Sequence, residues 1–242
     1  MSDKLDPLKF WQQLQGTIVL HDAIFATRKK LIKKNKNSIK IENSDKKMNT
    51  AIYHKGLTVV LEATKSFHIL FERLFIDMDK NDFLHTASVS QAYDTHLFEY
   101  NNRYKLLSSI DLYTHTMNVV NETIKLAEIN KFPQQVVDIA IILAILHDFG
   151  KNQSIAKEFS FEKDIKHHKI SANYAKHIMF EQYLKDEKHG ITKEFIEMIY
   201  SILRAHHEQE RNNNMFLEIL IHADQNAREK ELFEILKNKK SK

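Results

Sequence analysis

A histidine and an aspartate stand next to each other where the most apolar segment of the chain ends. Residues 136–146 are almost all Val, Ile, Leu or Ala, His147 and Asp148 follow directly, and Lys151 comes shortly after. A segment that is apolar on every face predicts a central helix buried by its neighbours. Burying this pair costs free energy unless a partner compensates it, and a divalent cation is one such partner. The pair is therefore a candidate metal site; satisfaction by the backbone or by Lys151 is the alternative.

Three further segments each carry one possible metal ligand on the apolar face of a helix. At helical spacing these faces are Leu112, His115 and Val119; Phe195, Ile199, Ile202 and His206; and Phe216, Leu220, Asp224 and Ala227. A single inward histidine is more often a hydrogen-bonded core residue than a ligand. Three such residues around a buried His-Asp pair instead favour one shared metal site.

The composition restricts what can bind such a metal. The chain has no cysteine, which excludes disulfide bonds, cysteine nucleophiles and thiolate ligands. His, Asp and Glu are the strong ligands that remain. Ligation rich in imidazole favours Mn, Fe, Co, Ni or Zn over Mg.

The order of these residues resembles the pattern of the HD superfamily of metal-dependent phosphohydrolases. In that pattern a His, a His-Asp doublet and a more distant Asp each come from a different helix. The matching positions here are His115, His147, Asp148 and Asp224. Accessory ligand positions of the two-metal members resemble two further pairs, His167 with His168 and His206 with His207. The resemblance covers about residues 108–236.

This resemblance implies a helical bundle that binds one or two divalent cations and hydrolyses a phosphoester. The cations would bind phosphoryl oxygens and lower the pKa of a bound water for in-line attack. The implied metal ligands are His115, His147, Asp148 and Asp224, with His167 and His206 added for a second cation. The implied catalytic residues are Asp148 and Lys151, and Lys151 would neutralise charge on the substrate phosphate.

The choice within each histidine pair stays open. His167 is preferred over His168 because Ser171 follows it at a four-residue step, but both have a plausible inward face. His206 is preferred over His207 by its apolar register, although both can contribute.

The expected substrate is a nucleotide or another small phosphorylated molecule. After Glu208 the chain lacks the Gly-Tyr-Pro element of relatives that hydrolyse cyclic diguanylate, so that substrate is disfavoured. Arg228 lies one turn after Asp224, where it forms either an ordinary ion pair or a second phosphate contact beside Lys151.

Two other functions are compatible with the same motifs. The chain is more distantly similar to HD-type relaxase domains of conjugative elements. The nine basic residues between Arg28 and Lys47 would suit nucleic acid, or they are simply a solvated helix end and loop. The other alternative is a non-catalytic signalling module. Such modules often lose ligands, however, and no core position is missing here.

The elements that must position these residues are predicted to be helices, giving an all-α fold. Only 4 Gly and 2 Pro interrupt the 242 residues. After an early helix over residues 8–31, helices are predicted over residues 50–74, 111–126, 134–148, 164–184, 192–208 and 215–236. Ser109 or Asp111 can cap the helix at 111, and Gly150 suits the left-handed residue that ends a helix. Residues 83–107 are compatible with short strands or an irregular connection.

Two regions and a cytoplasmic location are expected. A mainly helical region of unknown role would cover residues 1–104, and the HD domain would cover residues 105–242. The start of the chain does not resemble a secretory signal, and the longest apolar run, Ile139–Leu146, is too short to span a bilayer. No membrane partner is expected, and the sequence leaves the oligomeric state open.

Overall fold

The computed structural model describes residues 50–89, 105–161, 165–185, 191–208 and 214–240, together with Met48 and Arg103. Within these residues the chain is all-α, as predicted, and contains no strand beyond an isolated bridge between Ala87 and Asp111. The helices are α1 Ala51–Ala63, α2 His68–Lys80, α3 Leu112–Asn130, α4 Gln134–Leu146, α5 Gln153–Phe159, α6 His167–Lys185, α7 Lys193–Ala205 and α8 Met215–Lys240. The predicted early helix and the basic segment Arg28–Lys47 lie outside the described residues.

Helix α4 forms the centre of the bundle, as its apolar sequence predicts. Residues 140–146 are all buried, and α3, α8, α6 and α7 contact this helix. Each fully buried Leu or Ile contributes about 1.5–3 kcal/mol through removal of apolar surface from water. Burial of these residues therefore keeps the end of α4 in the interior of the bundle, and the His-Asp pair that follows it is buried as well.

The single helix predicted over residues 50–74 is wrong, because α1 and α2 are separate. Thr64 ends α1, and its hydroxyl donates back to the Val60 carbonyl at 2.8 Å. Such hydroxyl groups compete with the backbone and weaken a helix. Phe67 then takes a left-handed conformation with φ of 61° before α2 begins.

Helix α2 continues to Lys80, beyond the helix end predicted at residue 74. Asp77 is buried. Two groups donate to its carboxylate: Arg73 Nε at 2.7 Å and the Tyr174 hydroxyl at 2.8 Å. Asp77 is thus a core contact between α2 and α6.

Residues 47–242 form one compact unit. The rings of Tyr53 on α1 and Tyr113 on α3 meet edge to face at 4.6 Å, and the Tyr113 hydroxyl donates to the Ile52 carbonyl at 2.7 Å. The boundary predicted near residue 105 lies inside this unit. As a division of function, it stays a prediction.

Side-chain caps set the start of several helices. Asp111 accepts from the Thr114 backbone at the start of α3, which confirms one of the two predicted caps. Asn152 accepts from Ser154 and Ile155 at the start of α5, a helix that the sequence did not predict. Among the described helices, none is both long and apolar enough to cross a membrane.

Candidate metal centre

The buried His-Asp pair follows the end of α4 directly. His147 is 0% exposed and Asp148 is 1% exposed. The Nδ1 of His147 lies 2.8 Å from the Ala144 carbonyl, which can only accept, so Nδ1 carries the hydrogen. Its other nitrogen, Nε2, lies 3.2 Å from the Asp148 carboxylate. The local helix end therefore turns Nε2, the nitrogen not bound to the backbone, towards a carboxylate.

Helices α3 and α8 bring the first histidine and the distant aspartate to the same point. The His115 Nε2 lies 3.2 Å from Asp224 Oδ1 and 3.5 Å from Asp148 Oδ2. His206, directly after α7, places its Nε2 3.6 Å from Asp224 Oδ2. Four separate helices thus contribute to one cluster, in the way that their apolar faces predict.

The tandem histidines divide between two sides of the cluster. Ligand atoms lie within 4.8 Å of one another in three groups: His115, His147 and Asp148; His147, His206 and Asp224; and Asp148, His167 and His207. The structure therefore places His206 beside Asp224 and places His207, not His206, beside His167. His168 is buried next to the same rings but belongs to none of these groups.

Many polar atoms of this cluster have no hydrogen-bond partner. Among the described residues, nine buried side-chain nitrogen and oxygen atoms are unpartnered. All nine belong to His115, His147, Asp148, His167, His168, His206 and Asp224. Buried polar groups are normally hydrogen-bonded, because leaving one unpaired costs about 1–3 kcal/mol. A concentration of such atoms in one place fits a site that a cation would complete.

The charges of the site keep its carboxylates ionised. Burial alone would raise the pKa of the Asp148 carboxyl, but the nearby side chains of His147, Lys151 and His115 favour the ionised form and hold that pKa well below its ordinary value. The pKa of Asp224 is likewise low, because the nearby imidazoles of His115 and His206 favour its ionised form against the effect of burial. Both aspartates are therefore anionic at neutral pH, as cation ligands must be.

The imidazoles fall into two classes. Burial lowers the pKa of His167 to about 3 and that of His168 to about 4. Burial also opposes protonation of His115, but the carboxylates of Asp148, Asp224 and Glu231 raise its pKa to about 9. His167 and His168 are thus neutral at pH 7, whereas His115 would have to lose a proton before it could bind a metal.

Two basic residues predicted to contact phosphate lie at the edge of the cluster. The Lys151 ammonium donates to Asp148 Oδ2. Arg228 lies 4.0 Å from Asp224 and 3.9 Å from Asp148, but its closer contacts are the Ser88 hydroxyl and carbonyl, both at 3.0 Å. Arg228 therefore does more than form an ordinary ion pair with Asp224 along α8. Its role as a phosphate contact stays a prediction.

Gly150 does not take the left-handed conformation expected for the end of a helix. It lies in a 3-10 turn, Phe149–Lys151, and its backbone N–H donates to the Ser171 hydroxyl at 2.8 Å. A Cβ at this position would collide with the His167 carbonyl oxygen. The glycine is needed because it lets the start of α6, with His167, approach Asp148.

Three residues of the site had no place in the sequence prediction. Glu231 lies 2.9 Å from His115 Nδ1, Asn118 Nδ2 donates to the same carboxylate, and Ser88 binds Arg228. Glu231 follows Asp224 at a seven-residue step on α8, so helical periodicity could have placed it on the same face. No comparable signal identifies Ser88.

Comparison with known proteins gives one family and no individual relative. A family model described as HD domain matches residues 112–235, from the first residue of α3 into α8. The matched span includes every member of the cluster. Neither the curated proteins nor the solved structures gave a match to this chain.

Proposed function

Since the chain belongs to the HD-domain family, we propose that it is a metal-dependent phosphohydrolase acting on a nucleotide or another small phosphorylated molecule. The observation that carries this proposal is the set of nine unpartnered atoms, gathered from several helices and the turn after α4 around Asp148 and Asp224. A solely structural cluster would be expected to satisfy these atoms internally.

The donor set suits a divalent transition-metal ion. Imidazole nitrogens and carboxylate oxygens dominate it, which is the chemistry of Mn, Fe, Co, Ni and Zn sites. His115, His147, His206 and Asp224 would hold one ion, while His167 and His207 would hold a second, and Asp148 offers a carboxylate to both. A bound ion would supply Lewis-acid activation of a water and stabilise negative charge on a phosphoryl oxygen.

The side chains around these ligands suit an anionic substrate. The side chains of Lys151 and Arg228 are 15% and 19% exposed, so both can contact a molecule that enters the site from solvent. Each lies within 4 Å of the Asp148 carboxylate. A phosphate placed beside Asp148 would therefore meet an ammonium and a guanidinium, which orient it and offset its charge.

Metal analysis of protein purified without added metal tests the site. We expect one or two equivalents of a transition metal in the natural sequence and a loss of most of it in His147→Ala and Asp148→Ala. His222→Ala is the matched control, because His222 also lies on α8 near Asp224 but its side chain is 63% exposed. Undiminished metal in both site variants would contradict the assignment.

A phosphatase screen then tests the reaction. We expect hydrolysis of one or more nucleotides or small phosphoesters, at least 100-fold lower in Asp148→Ala, since losing a positioned catalytic group commonly costs that much. Short single-stranded DNA belongs in the same screen, because cleavage of DNA alone would favour the nucleic-acid-processing alternative. Activity that Asp148→Ala leaves unchanged would place the reaction elsewhere.

A further inference from the structure

One buried carboxylate, that of Glu231, lies on the side of the His115 ring opposite the other candidate ligands. Glu231 lies on α8 and is 3% exposed. Its Oε1 lies 2.9 Å from Nδ1 of His115. The opposite ring nitrogen, Nε2, is the one that faces Asp148 and Asp224. Glu231 therefore stands behind His115 and not inside the cluster.

The Glu231 carboxylate is held from both sides. Asn118 Nδ2 donates to Oε1 at 2.9 Å, and Arg228 Nη1 donates to Oε2 at 3.1 Å. The same arginine is anchored on Ser88 through its hydroxyl and its carbonyl, each at 3.0 Å. Because three neighbours donate to it, the carboxylate has little freedom to rotate towards the aspartates.

These contacts decide which nitrogen of His115 carries the hydrogen. An ionised carboxylate only accepts, so the hydrogen of a neutral His115 must lie on Nδ1. The lone pair is then on Nε2, which has no hydrogen-bond partner and faces the two aspartates. In metal sites, a carboxylate behind a histidine fixes the ring and raises its basicity in this way.

We propose that Glu231 is a positioning residue that fixes the orientation and the tautomer of His115 for binding a divalent cation. This inference rests on the proposed function, because it assumes a metal in front of His115. Glu231 is not itself a ligand of that metal: its oxygens are bound to His115, Asn118 and Arg228, and it joins none of the groups of ligand atoms found among the described residues.

Cobalt binding to EDTA-treated protein tests the role of Glu231. In Glu231→Gln the side chain keeps its size but has one acceptor oxygen for three donors, and its amide can turn an N–H towards His115. We expect about 10–100-fold weaker Co²⁺ binding and a changed Co²⁺ absorption spectrum. Glu234→Gln, an exposed position one turn further along α8, should bind Co²⁺ as the natural sequence does.

The outcomes separate the two proposals. If Glu231→Gln binds Co²⁺ as tightly as the natural sequence, the positioning role is overturned and the proposed function stands. The same conclusion follows if Glu231→Gln loses thermal stability but keeps its Co²⁺ affinity. A natural sequence that binds no Co²⁺ overturns both. If Glu231→Gln does not fold, Asn118→Ala replaces it, because it removes one donor and leaves the carboxylate. Several-fold weaker binding is then expected, and unchanged affinity overturns the role.

Discussion

The histidines of the cluster would meet a cation in different protonation states at neutral pH. His168 is buried beside other imidazoles and lysines, and burial first, then those charges, lower its pKa to about 4. His115 is buried among carboxylates, which overcome the effect of burial and raise its pKa to about 9. Cation binding should therefore displace a proton from His115 but not from His168.

This difference predicts a pH optimum for the stability of EDTA-treated protein. The folded pKa of His115 lies above the ordinary 6.5, so its contribution is complete below pH 6.5 and is lost as the pH rises through 9. The loss amounts to on the order of 3 kcal/mol. The folded pKa of His168 lies below 6.5, so stability also falls as the pH drops from 6.5 towards 4.

Thermal unfolding between pH 4 and 9 checks this prediction, with a maximum expected near pH 6.5. His115→Gln is the informative comparison, because it should remove the alkaline fall and keep the acid one. An identical alkaline fall in both proteins would show that another group is responsible.

The identity of most candidate ligands follows from the sequence, but their grouping does not. His115, His147, Asp148 and Asp224 meet because each lies on an apolar face that must be buried. Periodicity shows which way a side chain points and not which partner it meets. His206 and His207 both approach the cluster, and periodicity does not show that His207 rather than His206 lies beside His167.

At the scale of elements, the 3-10 turn after α4 and the start of α6 depend on each other. Gly150→Ala should bring a Cβ to 2.9 Å from the Ser171 backbone nitrogen and closer still to the His167 carbonyl oxygen. Helix α6 must move, because these are backbone atoms. We expect a loss of about 1–3 kcal/mol in urea unfolding, as for other overpacked positions. Binding of a second metal equivalent should weaken with it.

Ser171→Ala is the control for this steric effect. It removes the hydrogen bond that the Gly150 N–H donates to the Ser171 hydroxyl, without adding volume. A cost of about 1 kcal/mol is expected, with little change in metal binding. If Gly150→Ala were no more costly than Ser171→Ala, the close approach would not be what requires glycine.

Long helices could be predicted from the sequence, whereas short connections could not. Helix α3 has a capping Asp111 and a repeated apolar face, both of which are local signals. Helix α5 has only seven residues, too few for a periodic pattern. The ring of Phe67 stacks on Phe195 of α7, and Asp77 accepts from Tyr174 of α6. Such contacts with distant helices are not contained in a local pattern.

At the scale of the whole molecule, the site and the fold should be thermodynamically linked. A ligand set drawn from several helices exists only when they are assembled, so a bound cation stabilises the folded chain. At 100 times its dissociation constant, a cation adds about 2.7 kcal/mol. For a chain of this size that corresponds to a rise in Tm of about 5–10 °C.

A thermal shift experiment with EDTA-treated protein and added Mn²⁺, Co²⁺ or Zn²⁺ measures this link. We expect Tm to rise with the cation concentration in the natural sequence and to change by less than about 2 °C in His147→Ala. Equal rises in both proteins would mean that the cations bind elsewhere.

Ser88 lies outside the span that matches the family, yet it anchors Arg228, which in turn steadies Glu231 behind His115. The segment recognisable by similarity is therefore smaller than the segment that shapes the ligand environment. A fragment excised at the start of α3 would retain every cluster residue and lose this brace. Transplanting the site into another scaffold would accordingly require importing the preceding connection as well.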